Sequence, residues 1–190
     1  DITNSQVDPK YLRQLQRYNR ILWQRNQLLR LIAENKANPD ELGFWDKELV
    51  QTGAYLVVQR EHTVAALDHL IQTIHDELSS GQGKLSLVYY RSIDRKIGRE
   101  GSQVGETAAL FAQALHSARD KEIAQGMSLV GPHRDDLRFL IDEVDAGVYG
   151  SRGQQRTATL ALKLAEAKFM LSLTKENPIL LLDDVLSELD

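Results

Sequence analysis

The sequence predicts an α/β fold that is mainly helical, with a long antiparallel helix pair followed by a strand-bearing C-terminal part. Three observations carry this. Tyr11, Leu15, Tyr18, Leu22, Arg25, Leu29 and Ile32 recur at spacings of four and three, a heptad stripe interrupted only by Arg25. A second apolar seam runs through Leu49, Gly53, Leu56, Val64, Leu67, Ile71, Ile74 and Leu78, and the short loop "NKANPD" joins the two. Helices joined by so short a loop pack as a hairpin. Near the C-terminus, residues 179–182 are apolar without alternation, which reads as a strand buried on both faces of a parallel sheet.

The elements follow in order. Residues 9–36 form the first long helix, with Pro9 in its first turn and Asp8 as N-cap. Pro39 breaks the chain, and a second helix runs over 42–78. From Lys10 to Lys36 there are seven Lys/Arg and one acid; from Ala37 to Ser80 there are eight acids and two bases. The arms therefore carry opposite charge. They either neutralise each other, or Arg13, Arg17, Arg20 and Arg30 face outward as a phosphate-contacting stripe. "SSGQGK" is a break, residues 85–91 alternate as a strand, and residues 106–125 read as a helix ended by Gly126. Residues 137–142 and 147–150 read as a hairpin across "EVDA", followed by a helix over 154–173 and a strand over 178–184. A division at residue 125 separates a helical part, 1–125, from a strand-bearing part, 126–190.

Bulk properties narrow the function. The net charge of −4 means that any nucleic-acid-binding surface is local. Cysteine is absent, which excludes disulfides and thiolate metal sites and makes a reducing cytoplasm the default compartment. No apolar run approaches the roughly 20 residues that span a bilayer, so no membrane is expected.

Two stretches have the makings of a site. Asp183 and Asp184 stand at the end of the apolar strand, where carboxylates can hold Mg²⁺ beside a phosphate and orient a water. "GSRGQQR" puts Ser151, Gly153 and Gln154 at the start of a helix, where N–H donors favour a phosphate. Each alone has a plainer reading: an acid capping the next turn, and an ordinary capped helix with Leu160, Leu162, Leu164 and Phe169 in the core. "GPHRDD", residues 131–136, reads as a structural turn entering a strand, with Arg134 paired to a carboxylate, because adjacent strand residues point to opposite faces and make a poor metal site.

In combination these blocks resemble the C-terminal half of ATP-binding-cassette ATPase heads: "SRGQQR" the signature motif, "ILLLDD" the Walker B strand, "SELD" the D-loop. "YLRQLQRYNRILWQRNQLLR", "LVGPHRDDL", "GSRGQQRTATLALKLAEAKF" and "PILLLDDVLSELD" resemble the RecF family of bacterial DNA replication and repair proteins. The resemblance implies part of a P-loop ATPase head with an inserted helical lid. It implies ATP and Mg²⁺ as cofactors, ATP-dependent homodimers on gapped DNA, and the partners RecR and RecO. By motif position, Asp183 handles Mg²⁺ and Asp184 is the catalytic carboxylate. Ser151, Gly153 and Gln154 contact ATP on the other subunit, and Ser187 and Asp190 cross the dimer interface. Most cassette heads have Glu where Asp184 stands; Asp is usual in RecF-like sequences.

A phosphate-binding loop requires Gly-x-x-x-x-Gly-Lys-Ser/Thr. The one Gly-Lys pair, Gly83-Lys84, is followed by Leu85 and has Leu78 where the first glycine belongs. The expectation is a segment of a longer protein, inactive as an ATPase by itself. The alternative is a non-catalytic helical interaction or scaffold module.

Overall fold

Asp8 accepts a hydrogen bond from the Lys10 N–H at 2.8 Å, and Pro9 occupies the first turn; together they start the helix Pro9–Ala33 (α2). A short helix, Ile2–Val7 (α1), precedes it. The computed structural model describes residues 1–94, 96–98 and 101–180. α2 stops before residue 36 because Asn35 turns left-handed, at φ 58°. A capping box between Asn38 and Glu41 restarts the chain as a single 3₁₀ turn, Pro39–Glu41. The helix Leu42–Ser79 (α3) then returns along α2, ending at Ser80 in a left-handed conformation.

A third helix, Val104–Gln125 (α4), packs across this hairpin and ends at Gly126, whose φ of 63° suits glycine. Tyr11, Tyr18, Ile21, Leu49, Leu56, Phe111 and Leu115 form the core there. Gly53 admits Phe111: a Cβ at that position would lie 2.6 Å from the Phe111 ring and 3.0 Å from Tyr18. Nearer the hairpin loop, Leu28, Leu29, Ile32 and Leu42 close a smaller cluster.

The far half of α3 supports a three-stranded antiparallel sheet and the helix Arg152–Thr174 (α6). Strands Leu85–Tyr90 (β1) and Asp136–Ile141 (β2) pair with Leu87 opposite Phe139, and Val144–Asp145 (β3) pairs with β2. Leu85, Leu87 and Tyr89 point inward in the expected alternation. Leu67, Ile71 and Ile74 of α3 meet Ala158, Ala161 and Ala165 of α6, whose small side chains bring the two helices close. The sheet and the α3–α6 contact both join residues before 125 to residues after it.

The expected hairpin over 137–150 is corrected here. The hairpin turns at Asp142–Glu143, not across "EVDA": both residues have positive φ, 49° and 66°, as a two-residue turn between twisted strands requires. The Asp142 carboxylate fixes the turn by accepting from the Lys84 N–H at 2.9 Å. "GVYG" is accordingly not a strand. Residues Ala146–Tyr149 form a single helical turn (α5), capped by Asp145, which accepts from the Gly147 N–H at 2.8 Å. The expected strand over 178–184 is described only to residue 180. Residues 178–180 have no strand partner among the described residues, and Ile179 is 90% exposed. The rest of that expected strand, residues 181–184, lies outside the described residues. Asp183, Asp184, Ser187 and Asp190 lie outside the described residues.

Candidate functional site

The N-terminus of α6 brings Ser151, Gly153 and Gln154 together at the surface. Ser151 is the N-cap: its Oγ accepts from the Gln154 N–H at 3.2 Å, and the Gln154 side-chain oxygen accepts from the Ser151 N–H at 2.8 Å. Residues 151–155 are all exposed. This capping box satisfies two of the helix's orphan donors and keeps the end rigid. It leaves an anion something to bind. The Ser151 hydroxyl accepts one bond and still has its own hydrogen to donate. The first N–H groups of the helix, at Arg152 and Gly153, stand beside it at the positive end of the dipole. A Cβ at Gly153 would meet only the Ser151 Oγ, at 3.9 Å, so an approaching group has open space. Gln155 buttresses the turn from below, donating to the Ala146 carbonyl at 2.9 Å.

The basic arm divides in two. Arg17 pairs with Glu48 of α3 at 2.5 Å, the hairpin partnership that charge suggested. Arg13, Arg20 and Arg30 are exposed, and among the described residues none has a carboxylate in ion-pair range.

Arg25, the interruption in the heptad, proves to be the centre of a buried network. It is fully buried and donates to Asp46 at 2.7 Å, to Glu122 at 2.6 Å and to the Ser128 hydroxyl at 2.7 Å. Glu122, also fully buried, accepts a further bond from the Leu129 N–H at 2.7 Å. Asn26 holds Ser128 by both its N–H and its hydroxyl. One charged triad thus fastens α2, α3, α4 and the segment leading into "GPHRDD". A charged residue at a core position of the stripe was the visible sequence signal for it; its partners, 21, 97 and 103 residues away, were not visible.

"GPHRDD" is a structural turn, as expected, but among the described residues Arg134 has no carboxylate partner. It donates to the Ser128 carbonyl at 3.1 and 3.2 Å, because the compact turn at Pro132–Arg134 folds it back onto its own entry segment. The His133 Nδ1 lies 2.6 Å from the Tyr18 hydroxyl and its Nε2 lies 3.3 Å from the same Ser128 carbonyl. A neutral ring with the proton on Nε2 satisfies both contacts. Burial pushes the His133 pKa down to about 4; the Ser128 carbonyl pulls it up, and the nearby Arg134, Arg25 and Arg60 push it further down. Asp135 accepts from the Ser92 N–H at 2.7 Å and from the Tyr89 hydroxyl. Tyr18, Tyr89, His133 and Asp135 help to wall a cavity of about 490 Å³ between α1, α2, α3 and α6. Several of its polar groups pair with one another: Arg60 with Asp1, Thr3 with Glu166, Tyr18 with His133. Among the described residues no cluster of three or more His, Asp or Glu could hold a metal ion, and no helix is long and apolar enough to cross a membrane.

No family model matches the chain. Curated relatives do. The DNA replication and repair protein RecF of Chloroflexus aggregans is 46% identical over 194 residues, covering 100% of this chain and 49% of that protein. RecF of Bacillus cereus is 39% identical over 191 residues, covering 100% of this chain and 50% of its own length. The chain is similar to these RecF proteins along its whole length. It spans about half the length of the curated RecF relatives it matches. Solved RecF structures agree. The recombination mediator protein RecF-ATPrS of the RecFOR pathway superposes with a TM-score of 0.91 at 35% identity, covering 100% of this chain and 50% of that one. RecF-ATP of the same pathway gives 0.89 at 34% identity, covering 99% and 49%. The mainly helical fold with its small antiparallel sheet is therefore the fold of part of RecF.

Proposed function

We propose that this chain is the lid and signature segment of a RecF-type ATPase of recombinational DNA repair, working in the cytoplasm. The exposed, capped N-terminus of α6 carries the reading. Ser151, Gly153 and Gln154 sit there with a free hydroxyl hydrogen, unshielded N–H groups and open space, which suits the γ-phosphate of ATP held by a second subunit. Nothing in the cap needs dismantling for such contact. The phosphate adds to donors that water otherwise serves, and its charge meets the positive end of a 23-residue helix.

On this reading Asp183 holds Mg²⁺, Asp184 orients the attacking water, and Ser187 and Asp190 reach across the dimer interface. ATP thereby joins two copies, since each site needs a signature from its neighbour. The division at residue 125 separates a lid that contacts DNA from the part that contacts nucleotide. α2 supplies the DNA contact through Arg13, Arg17 and Arg20, Arg17 having first to be shared with Glu48. RecR and RecO are the protein partners at the gap. The match to RecF solved with ATP supports nucleotide as the ligand.

The test uses a full-length RecF-type protein carrying this segment. Ser151→Arg places a bulky side chain where the γ-phosphate must approach. ATP binding to the monomer should be unchanged, while ATP-driven dimerisation, followed by analytical ultracentrifugation, should be lost. Dimerisation at the wild-type ATP concentration would remove the cross-subunit role of α6.

A further inference from the structure

One exposed aromatic on α2 has no part in the nucleotide reading. Trp23 is 57% exposed, on the face opposite the buried Tyr18, Arg25 and Leu29. Helical spacing sets Arg20 one turn before it and Gln27 one turn after it on that same outward face, with Arg13 further back and Arg30, two turns after it, at the edge of the face where its stem lies against Gly126. Arg13, Arg20 and Arg30 have no carboxylate in ion-pair range among the described residues, whereas Glu48 and Asp46 of the acidic arm are engaged by Arg17 and Arg25. The other tryptophan behaves differently. Trp45 packs into the core clusters, edge-on to Phe44 with ring centroids 5.1 Å apart.

Guanidinium groups flanking a bare indole at helical-turn spacing are suited to one ligand chemistry in particular. Unpaired bases present π-faces that stack on an aromatic ring, while their backbone is tracked by cations. A duplex hides its base faces in the stack and engages only the cations. We infer that the outer face of α2 binds single-stranded nucleic acid, with Trp23 stacking on an unpaired base and Arg13, Arg20 and Arg30 contacting the flanking phosphates. Arg13 and Arg30 are about 25 Å apart along the helix, so one strand of several nucleotides lies along the whole face. This rests on the reading of α2 as the DNA-contacting arm and narrows it to the unpaired strand of a gap.

The chain has two tryptophans, so Trp45→Phe leaves Trp23 as the only one. That variant is titrated with an oligothymidylate, with a duplex of equal length and with polyglutamate. Trp23 emission is read alongside the anisotropy of labelled DNA. The single strand should quench Trp23, and the duplex should bind without quenching. In the otherwise wild-type chain, Trp23→Ala should weaken single-strand binding about 5- to 100-fold and leave duplex binding and the far-ultraviolet circular dichroism unchanged. Single-strand binding that neither quenches Trp23 nor depends on it overturns the inference while the DNA-contacting arm stands. Absence of binding to either DNA at low salt overturns both. Equal quenching by polyglutamate makes the face a dock for an acidic protein and also overturns the inference.

Discussion

Arg25→Met is the sharpest probe of how the basic arm is held. The substitution keeps most of the side-chain volume, so cavity formation contributes little. It removes three charge-assisted hydrogen bonds, to Asp46, Glu122 and Ser128. It also strands the Glu122 carboxylate, which is fully buried and among the described residues keeps only its bond from the Leu129 N–H. Removing one member of a buried ion pair costs about 3–5 kcal/mol, mostly the penalty of the uncompensated charge. For a chain of this size that corresponds to a Tm lower by roughly 6–20 °C. Urea unfolding followed by circular dichroism reads the loss directly. The double variant Arg25→Met/Glu122→Met leaves no buried charge in the pair and should recover more than half of it. A single-variant loss below about 1 kcal/mol, or a double-variant loss equal to the sum of the two singles, would refute the claim that Arg25 and Glu122 act as one unit.

Two further predictions concern the same region. His133 has its folded pKa held at about 4, below its ordinary 6.5, so the unfolded chain binds the proton more readily. Its contribution to stability is complete above pH 6.5 and is lost as pH falls toward 4; His133→Gln should flatten the stability-versus-pH curve between those values, and an unchanged slope would contradict its neutral, buried state. Gly53→Ala forces a Cβ to within 2.6 Å of the Phe111 ring, which is fully buried and has no room to retreat. Overpacking of about 1–3 kcal/mol outweighs or cancels the roughly 1 kcal/mol that alanine gains in helix propensity, so denaturant unfolding should show a net loss, and a more stable variant would contradict the packing.

The long helices were legible because heptad spacing and charge asymmetry act within a few turns. Pro9, Asp8 and Gly126 marked ends for local reasons, and those ends were found where expected within a few residues. The turn at Asp142–Glu143 was missed because left-handed backbone at two non-glycine residues leaves little compositional trace; the strand pairing it serves had to be seen first. Arg134 was assigned a carboxylate because charge suggests charge, yet its nearest acceptor is a carbonyl that its own turn brings back. Arg25 stood out in the stripe, but Glu122 is 97 residues away and pattern gives no means of pairing them. At the candidate site the motif "SRGQQR" announced Ser151 and Gln154. The capping box between them, and its exposure, required the fold. Asp183 and Asp184 remain legible in the sequence alone.

Subunit mixing tests most directly whether the α6 N-terminus completes a site on another subunit. In a full-length RecF-type protein carrying this segment, Ser151→Arg and Asp184→Asn should each abolish ATP hydrolysis. A mixed dimer has one site with the intact Asp184 of the first variant and the intact Ser151 of the second. Mixing should then restore turnover that neither variant shows by itself, up to about half of the wild-type rate per mixed dimer formed, since one of its two sites is intact. No recovery on mixing, with mixed dimers shown to form, would contradict the claim.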